Sequence, residues 1–258
     1  MHQIVIENDF IRKYLGKDRV LLIPKDTPDA FLLEKNMLCK YIGAGGTVVL
    51  PNGITGIHRF AFLDDGKRLK SVTLPNSMTR IGRGTFRYLE ELESVTLSDS
   101  VTEIEAGAFC GCIRLREINV PKHARVSGIE TFRDCHALAD PDGFVIVNGI
   151  LFDYIGSNTN VTVPDGVRVI GVKAFTERRK SDNDRQIVSV TIPNGVTRIE
   201  AYAFDKCESL ASVMIPKSVS FIGRKAFADC PNLKRLAIPA TAAVEGEAFS
   251  KQTHVFRY

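Results

Sequence analysis

Apolar positions recur along this chain on a fixed ruler, at neither a helical nor a simple alternating period. The segment SVTLPNSMTRIGRGTF, Ser71 to Phe86, returns as SVTLSDSVTEIEAGAF (Ser94 to Phe109), SVTIPNGVTRIEAYAF (Ser189 to Phe204) and SVMIPKSVSFIGRKAF (Ser212 to Phe227). The copies are marked by Pro51, Pro75, Pro121, Pro164, Pro193, Pro216 and Pro239, with Ser98 in the proline's place once, and most intervals are 23 or 24 residues. Aliphatic residues stand one and three places before the proline, as Leu74 and Val72 do, and isoleucine stands six after, as at Ile81 and Ile199. Phenylalanine stands eleven after, in seven copies from Phe62 to Phe227, and Phe249 comes one residue early. Leucine follows six residues later, as Leu92 and Leu210. A unit this short cannot bury so many apolar side chains by itself, but stacked units bury them against one another.

Each copy predicts the same elements. The alternating, β-branched VTL is a short strand, and proline ends it because it has no N–H for a ladder. NG or NS then turns the chain, and VTRI is a second short strand. GRGTF, EAGAF and GRKAF predict about one helical turn, too short to stand without packing, with the phenylalanine as the large plug of the coil. The copy at Pro121 has Ser127 where the isoleucine belongs, and Pro193 comes 18 positions after Phe175 instead of 12, the excess lying in the charged TERRKSDNDRQ. A longer pattern, strand, turn, strand, loop, ends at Pro24, Pro51 and Pro164, with Tyr14, Tyr41 and Tyr154 each ten residues before the proline. These are expected to be β-hairpin variants of the unit. The first two would cap an end that otherwise exposes core, and the third would kink the stack or decorate it.

The stretch SVTIPNGVTRIEAYAFDKCESLASVMIP resembles the BspA-like subclass of leucine-rich repeats, with its pattern V-T-x-I-P-x-x-V-T-x-I-G-x-x-A-F-x-x-C-x-x-L. The resemblance runs from about residue 43 to 250. It implies a curved solenoid with one parallel strand per coil on its concave face. It also implies binding and adhesion in place of catalysis, and no shared catalytic residues. The expected fold is therefore α/β and β-rich, a right-handed leucine-rich-repeat solenoid with short helical turns and β-hairpin insertions. Residues 1–50 would form the capping region and 51–258 the solenoid, one continuous domain with a hairpin insertion at about 143–160 and a charged loop at about 176–186.

Composition narrows the function classes. A net charge of +4 on 258 residues, with basic and acidic residues interspersed, gives little support to a nucleic-acid or membrane-surface partner. No apolar run is long enough to span a bilayer, so no membrane insertion is expected. The opening MHQIVIENDFIRKYLGK has no apolar core or small-residue cleavage site, so it does not read as a secretory signal. The expected location is cytoplasmic as written, or the cell surface or exterior if a leader has been removed.

Four of the six cysteines, Cys112, Cys135, Cys207 and Cys230, lie three residues after the plug phenylalanine, where Leu89 stands in another copy. The shared slot predicts small buried hydrophobes, free and without metal. Cys39 and Cys110 at most are expected to be open to reagent. Cys110, Cys112, Cys135 and His136 could gather round zinc, but no C-x-x-C pair exists. The five histidines, His2, His58, His123, His136 and His254, show no H-E-x-x-H spacing, and the chain has no G-x-S-x-G, Walker or G-x-G-x-x-G motif. No catalytic residue, cofactor or metal is expected.

That leaves the first-strand face. Its outward residues lie two and four before each proline. The expected binding face is Thr73, Thr96, Asn119, Thr162, Thr191 and Met214 in one row, with Ser71, Ser94, Glu117, Ser189 and Ser212 in the other. Hydroxyl residues also suit a parallel-strand surface that binds nothing. Read functionally, they form a shallow, nearly uncharged platform. Phe221, where arginine or glutamate stands in other copies, is the single aromatic expected to be exposed on the solenoid. The expected function is a non-catalytic scaffold with an unidentified protein partner. The alternative is a bacterial surface adhesin that binds a host or matrix protein or a glycan.

Overall fold

The computed structural model describes residues 19–22, 29–62, 68–176 and 186–258. Tyr14 and Pro24 of the first hairpin pattern, and most of the charged loop (177–185), lie outside the described residues. The chain divides into two compact units: residues 1–127 with 131–138, and 128–130 with 139–258.

In the first unit the VTL segments form one parallel sheet of Gly46–Val49, Leu69–Thr73, Ser94–Thr96 and Glu117–Ile118. Equivalent residues pair directly, Ser71 with Ser94, Val72 with Val95 and Thr73 with Thr96. The VTRI segments form a second parallel sheet of Arg80–Ile81, Glu103–Ile104 and Arg125–Val126. Ahead of the coils, Ala30–Glu34 and Met37–Ile42 form the expected hairpin, with Arg19–Leu22 antiparallel on its outer side and Gly56–Ile57 parallel on its inner side.

The second unit repeats this plan. Asn160–Thr162, Ser189–Thr191 and Ser212–Met214 make its first-strand sheet, and Arg235–Ile238 pairs in parallel with His254–Arg257. The mid-chain hairpin, Phe144–Val147 with Ile150–Tyr154, opens the second-strand sheet. Val169–Ile170, Arg198–Ile199, Phe221–Ile222 and Ala243–Val244 continue it in parallel. The hairpin is thus the first layer of a unit.

Among the described residues each unit has a column of six aromatic rings. Phe31, Tyr41, Phe62, Phe86, Phe109 and Phe132 follow one another with ring centroids 5.2 to 5.8 Å apart. In the second unit Phe144, Tyr154, Phe175, Phe204, Phe227 and Phe249 do the same at 4.7 to 6.0 Å. The periodic tyrosine is therefore the plug of a hairpin layer. Tyr41 is fully buried, donates its hydroxyl hydrogen to Asp29 Oδ1 at 2.6 Å and accepts the Gly45 N–H at 3.1 Å. Its hydroxyl lies over Gly43, where a Cβ would come within 2.3 Å, as Tyr154 lies over Gly156, where a Cβ would come within 2.5 Å.

The structure corrects two expectations about the coil. The segments around the plug, 83–88, 106–111 and 201–206 among them, are hydrogen-bonded turns and not a helical turn. Two residues before the phenylalanine φ is positive, at Gly84, Gly107, Lys173, Tyr202 and Lys225, and two residues after it again, at Tyr88, Gly111, Lys206 and Asp229. A left-handed residue breaks the helical path, and two of them fold the chain tightly around each ring. The copy at Pro121 has not lost its apolar residue either. Val126 pairs with Ile104, because the turn after Pro121 is one residue shorter. The turn after Pro239 is shortened in the same way, with Val244 opposite Ile222; Phe249 therefore comes early, whereas one extra residue between Val126 and Phe132 restores the usual spacing in the Pro121 copy.

Candidate binding face

In each first strand the central aliphatic residue, most often valine, points inward and its neighbours outward. Val72, Val95, Val190 and Val213 are buried, while Thr96, Glu117, Asn119, Thr162, Ser212 and Met214 are exposed and Ser71, Thr73, Ser94, Ser189 and Thr191 are half-buried. The predicted residues fall into two groups. Parallel register brings Ser71, Thr73, Ser94, Thr96 and Glu117 together in the first unit, and Thr162, Ser189, Thr191, Ser212 and Met214 together in the second.

Much of the polarity on these faces is already engaged. Ser94 donates to Ser71 Oγ at 2.8 Å, and Ser189 to Asn160 Oδ1 at 2.7 Å. Asn119 accepts the Leu97 N–H at 2.7 Å and donates to the Leu97 carbonyl at 2.8 Å, so its side chain extends the ladder past the last strand. The face offers neighbouring hydroxyl and amide groups bonded to one another, and a partner would meet them as a shaped, weakly polar surface. The terminal strand His254–Arg257 was missed in the sequence. It places Phe256 opposite Ala237 and His254 opposite Arg235, which continues both rows. The alternation in HVFR is its signal, but no proline marks it.

Phe221 is half-buried, with the Arg198 guanidinium 3.9 Å above its ring on the neighbouring strand. This corrects its expected exposure. The exposed aromatics are elsewhere: Phe60, Tyr88, Phe256 and Tyr258 are each between 40% and 55% exposed.

The cysteine slot has a specific geometry. Each of the four thiols donates to the carbonyl of the plug phenylalanine one coil earlier: Cys112 to Phe86 at 3.0 Å, Cys135 to Phe109 at 3.1 Å, Cys207 to Phe175 at 3.2 Å and Cys230 to Phe204 at 3.0 Å. Leucine can fill the volume at Leu89, but it cannot make this bond. All six cysteines are free of disulfides, and Cys110 is buried as well, so of the two thiols allowed as accessible only Cys39 is partly exposed. Burial pushes the Cys112 thiol up from 9.0 to about 12 and raises Cys135 well above its ordinary range.

Native-state labelling is therefore expected to modify Cys39 fast and the other five only on unfolding, since the thiolate is the reactive form. Burst labelling of more than one thiol overturns this. The linkage has a definite sign. The folded thiol holds its proton where the unfolded one releases it, so stability is intact below pH 9 and falls as pH rises toward 12.

Stacked parallel strands, short turns and inward plugs in every coil define a repeat protein of the leucine-rich class. The BspA type leucine rich repeat region matches in six copies over residues 45–139 and 181–256, more than half of the chain, and the chain belongs to that family. Among solved structures it is similar to a leucine rich cell surface protein from Faecalibacterium prausnitzii A2-165, at 17% identity over 94% of this chain and 87% of that one, TM-score 0.38. It is also similar to the T. pallidum Leucine Rich Repeat protein, at 28% identity over 76% and 82%, TM-score 0.39. A third is the pneumococcal vaccine antigen PcpA, at 17% identity over 90% and 76%, TM-score 0.39. No curated protein matches the chain. Among the described residues no helix is long and apolar enough to cross a membrane.

Proposed function

We propose that this chain is a non-catalytic binding module that takes a protein partner on its first-strand faces. The observation that carries the proposal is the pair of outward rows, which parallel register aligns across consecutive coils of each unit. The coils are taken as right-handed, with this sheet on the inner side of the curve, as the family resemblance implies. Side chains there have little core to serve, so their pattern is open to recognition. Thr96, Thr162 and Ser212 are exposed, and replacing all three by lysine is expected to leave the melting temperature unchanged. Affinity capture with the wild type and this triple variant, read by quantitative mass spectrometry, is expected to deplete specific partners at least tenfold. An identical partner set for both proteins removes the faces as the binding surface.

A further inference from the structure

The two rows change character toward the C-terminal coils of the second unit. Met214 is 65% exposed, Phe256 40% and Tyr258 46%. The strands that carry them are neighbours. Phe256 sits opposite Ala237 on the adjacent strand, and the Tyr258 hydroxyl donates to the Ile215 carbonyl, reaching past the strand Arg235–Ile238 to the one that ends at Met214. Exposed apolar side chains scattered singly need no explanation, but a contiguous set rimmed by polar groups marks an interaction site.

The Arg235 guanidinium supplies the charge of this patch. Arg235 and His254 are register partners on neighbouring strands, and both are exposed. The Arg235 guanidinium lies 5.5 Å above the Phe256 ring, and the His254 ring is 6.4 Å from the same ring. Ion pairs of the second unit use Lys173, Arg198, Arg224 and Lys225. Among the described residues no carboxylate pairs with Arg235. The outward rows of this unit, from Asn160 and Thr162 onward, contain no acidic residue.

We propose that Met214, Ala237, Phe256 and Arg235 form the anchor of the binding face, and that it takes an acidic partner segment in which a carboxylate flanks an apolar side chain. A guanidinium over an aromatic ring, with its planar fork of donors, suits bidentate carboxylate recognition. Methionine and phenylalanine beside it supply adaptable and rigid apolar contact. Arginine and aromatic residues carry most of the energy at protein interfaces. The charge complementarity selects an acidic occupant over a basic one, and the apolar patch selects a protein segment over a simple anion. This inference rests on the face being the binding surface.

The test is selection of a phage-displayed random dodecapeptide library on the intact chain. Recovered peptides are then measured against Arg235→Glu, Met214→Ser with Phe256→Ser, and the triple lysine variant at Thr96, Thr162 and Ser212. Enriched peptides are expected to carry Asp or Glu beside Leu, Phe or Met, and to lose at least tenfold in affinity on Arg235→Glu and on the double serine variant. All of these positions except half-buried Ala237, which is left unchanged, are exposed, so unchanged melting temperatures confirm that each variant folds. Basic or purely polar binders overturn the proposal, as do binders lost only on the triple lysine variant, which leave the face as the binding surface. Binders indifferent to every variant, or no enrichment at all, remove both.

Discussion

Phe109→Ala and Phe204→Ala are each expected to lower the unfolding free energy by about 3–5 kcal/mol, the usual range for deleting a buried phenyl ring. Both side chains are fully buried, and each is stacked on a ring to either side, 5.2 and 5.2 Å away for Phe109 and 4.7 and 4.9 Å away for Phe204. Tight turns with left-handed residues on both sides of the ring hold the backbone in place, so the hole left behind cannot close. The backbone N–H of each plug also donates to the next coil, Phe109 to Thr131 and Phe204 to Ala226, and those bonds loosen as the ring goes. Urea denaturation measures the loss. A change below about 1 kcal/mol in both variants would show that the columns do not hold the units together. Phe249, half-buried at the end of its column, is expected to cost less.

Two identical tripeptides should respond in opposite ways to the same change. Ile81-Gly82-Arg83 and Ile222-Gly223-Arg224 occupy one repeat position in different units. A Cβ at Gly223 would meet the Ala201 nitrogen at 2.6 Å and the Glu200 carbonyl carbon at 2.9 Å, whereas at Gly82 the nearest atom is Thr85 Oγ1 at 3.4 Å. Gly223→Ala is therefore expected to destabilise by about 1–3 kcal/mol, because backbone of the adjoining coil must move. Gly82→Ala, with no positive φ and ordinary contact distances, is expected to be neutral or to stabilise by about 0.4–1 kcal/mol through the unfolded chain. Thermal and urea midpoints of the two variants decide it. Equal shifts would mean that the coils are packed alike at this slot.

Glutamate at the same slot in Glu105 and Glu200 shows why no inspection of the repeat could have separated the two glycines. The slot tolerates a side chain or excludes it according to how closely the preceding coil approaches. That distance depends on the neighbouring copy and on no residue within the motif.

The binding face was partly legible in the same sense. Its rows follow from the two-residue alternation of a strand, so Thr96 and Ser212 could be placed outward from spacing alone. Asn119 could be placed at the face, but its pairing with the Leu97 backbone depends on where the sheet ends. The patch at the C-terminal coils was read only in part. Met214, Ala237 and Arg235 lay on the ruler, while His254, Phe256 and Tyr258 followed a strand without the proline that marks the others. Cys110 could not be placed by spacing, because it sits one residue after a plug, a position that is exposed at Arg87 and buried here.

By itself the sequence determined the coil: which residues face inward, where each strand stops, and that consecutive copies pair in parallel with like beside like. These follow from local chemistry repeated at a fixed interval, since identical units stacked in register must bury identical positions. Only the tertiary structure decided that Tyr41 and Tyr154 join the phenylalanine columns, and that the mid-chain hairpin founds a second column. It also decided that the four thiols bond to the carbonyl of the previous plug, and that left-handed residues as unlike as Gly107, Tyr202 and Lys225 share one turn. Each of these depends on the distance and direction between atoms about one coil apart, or on a backbone angle imposed by packing. Neither is encoded in the identity of the residue that adopts it.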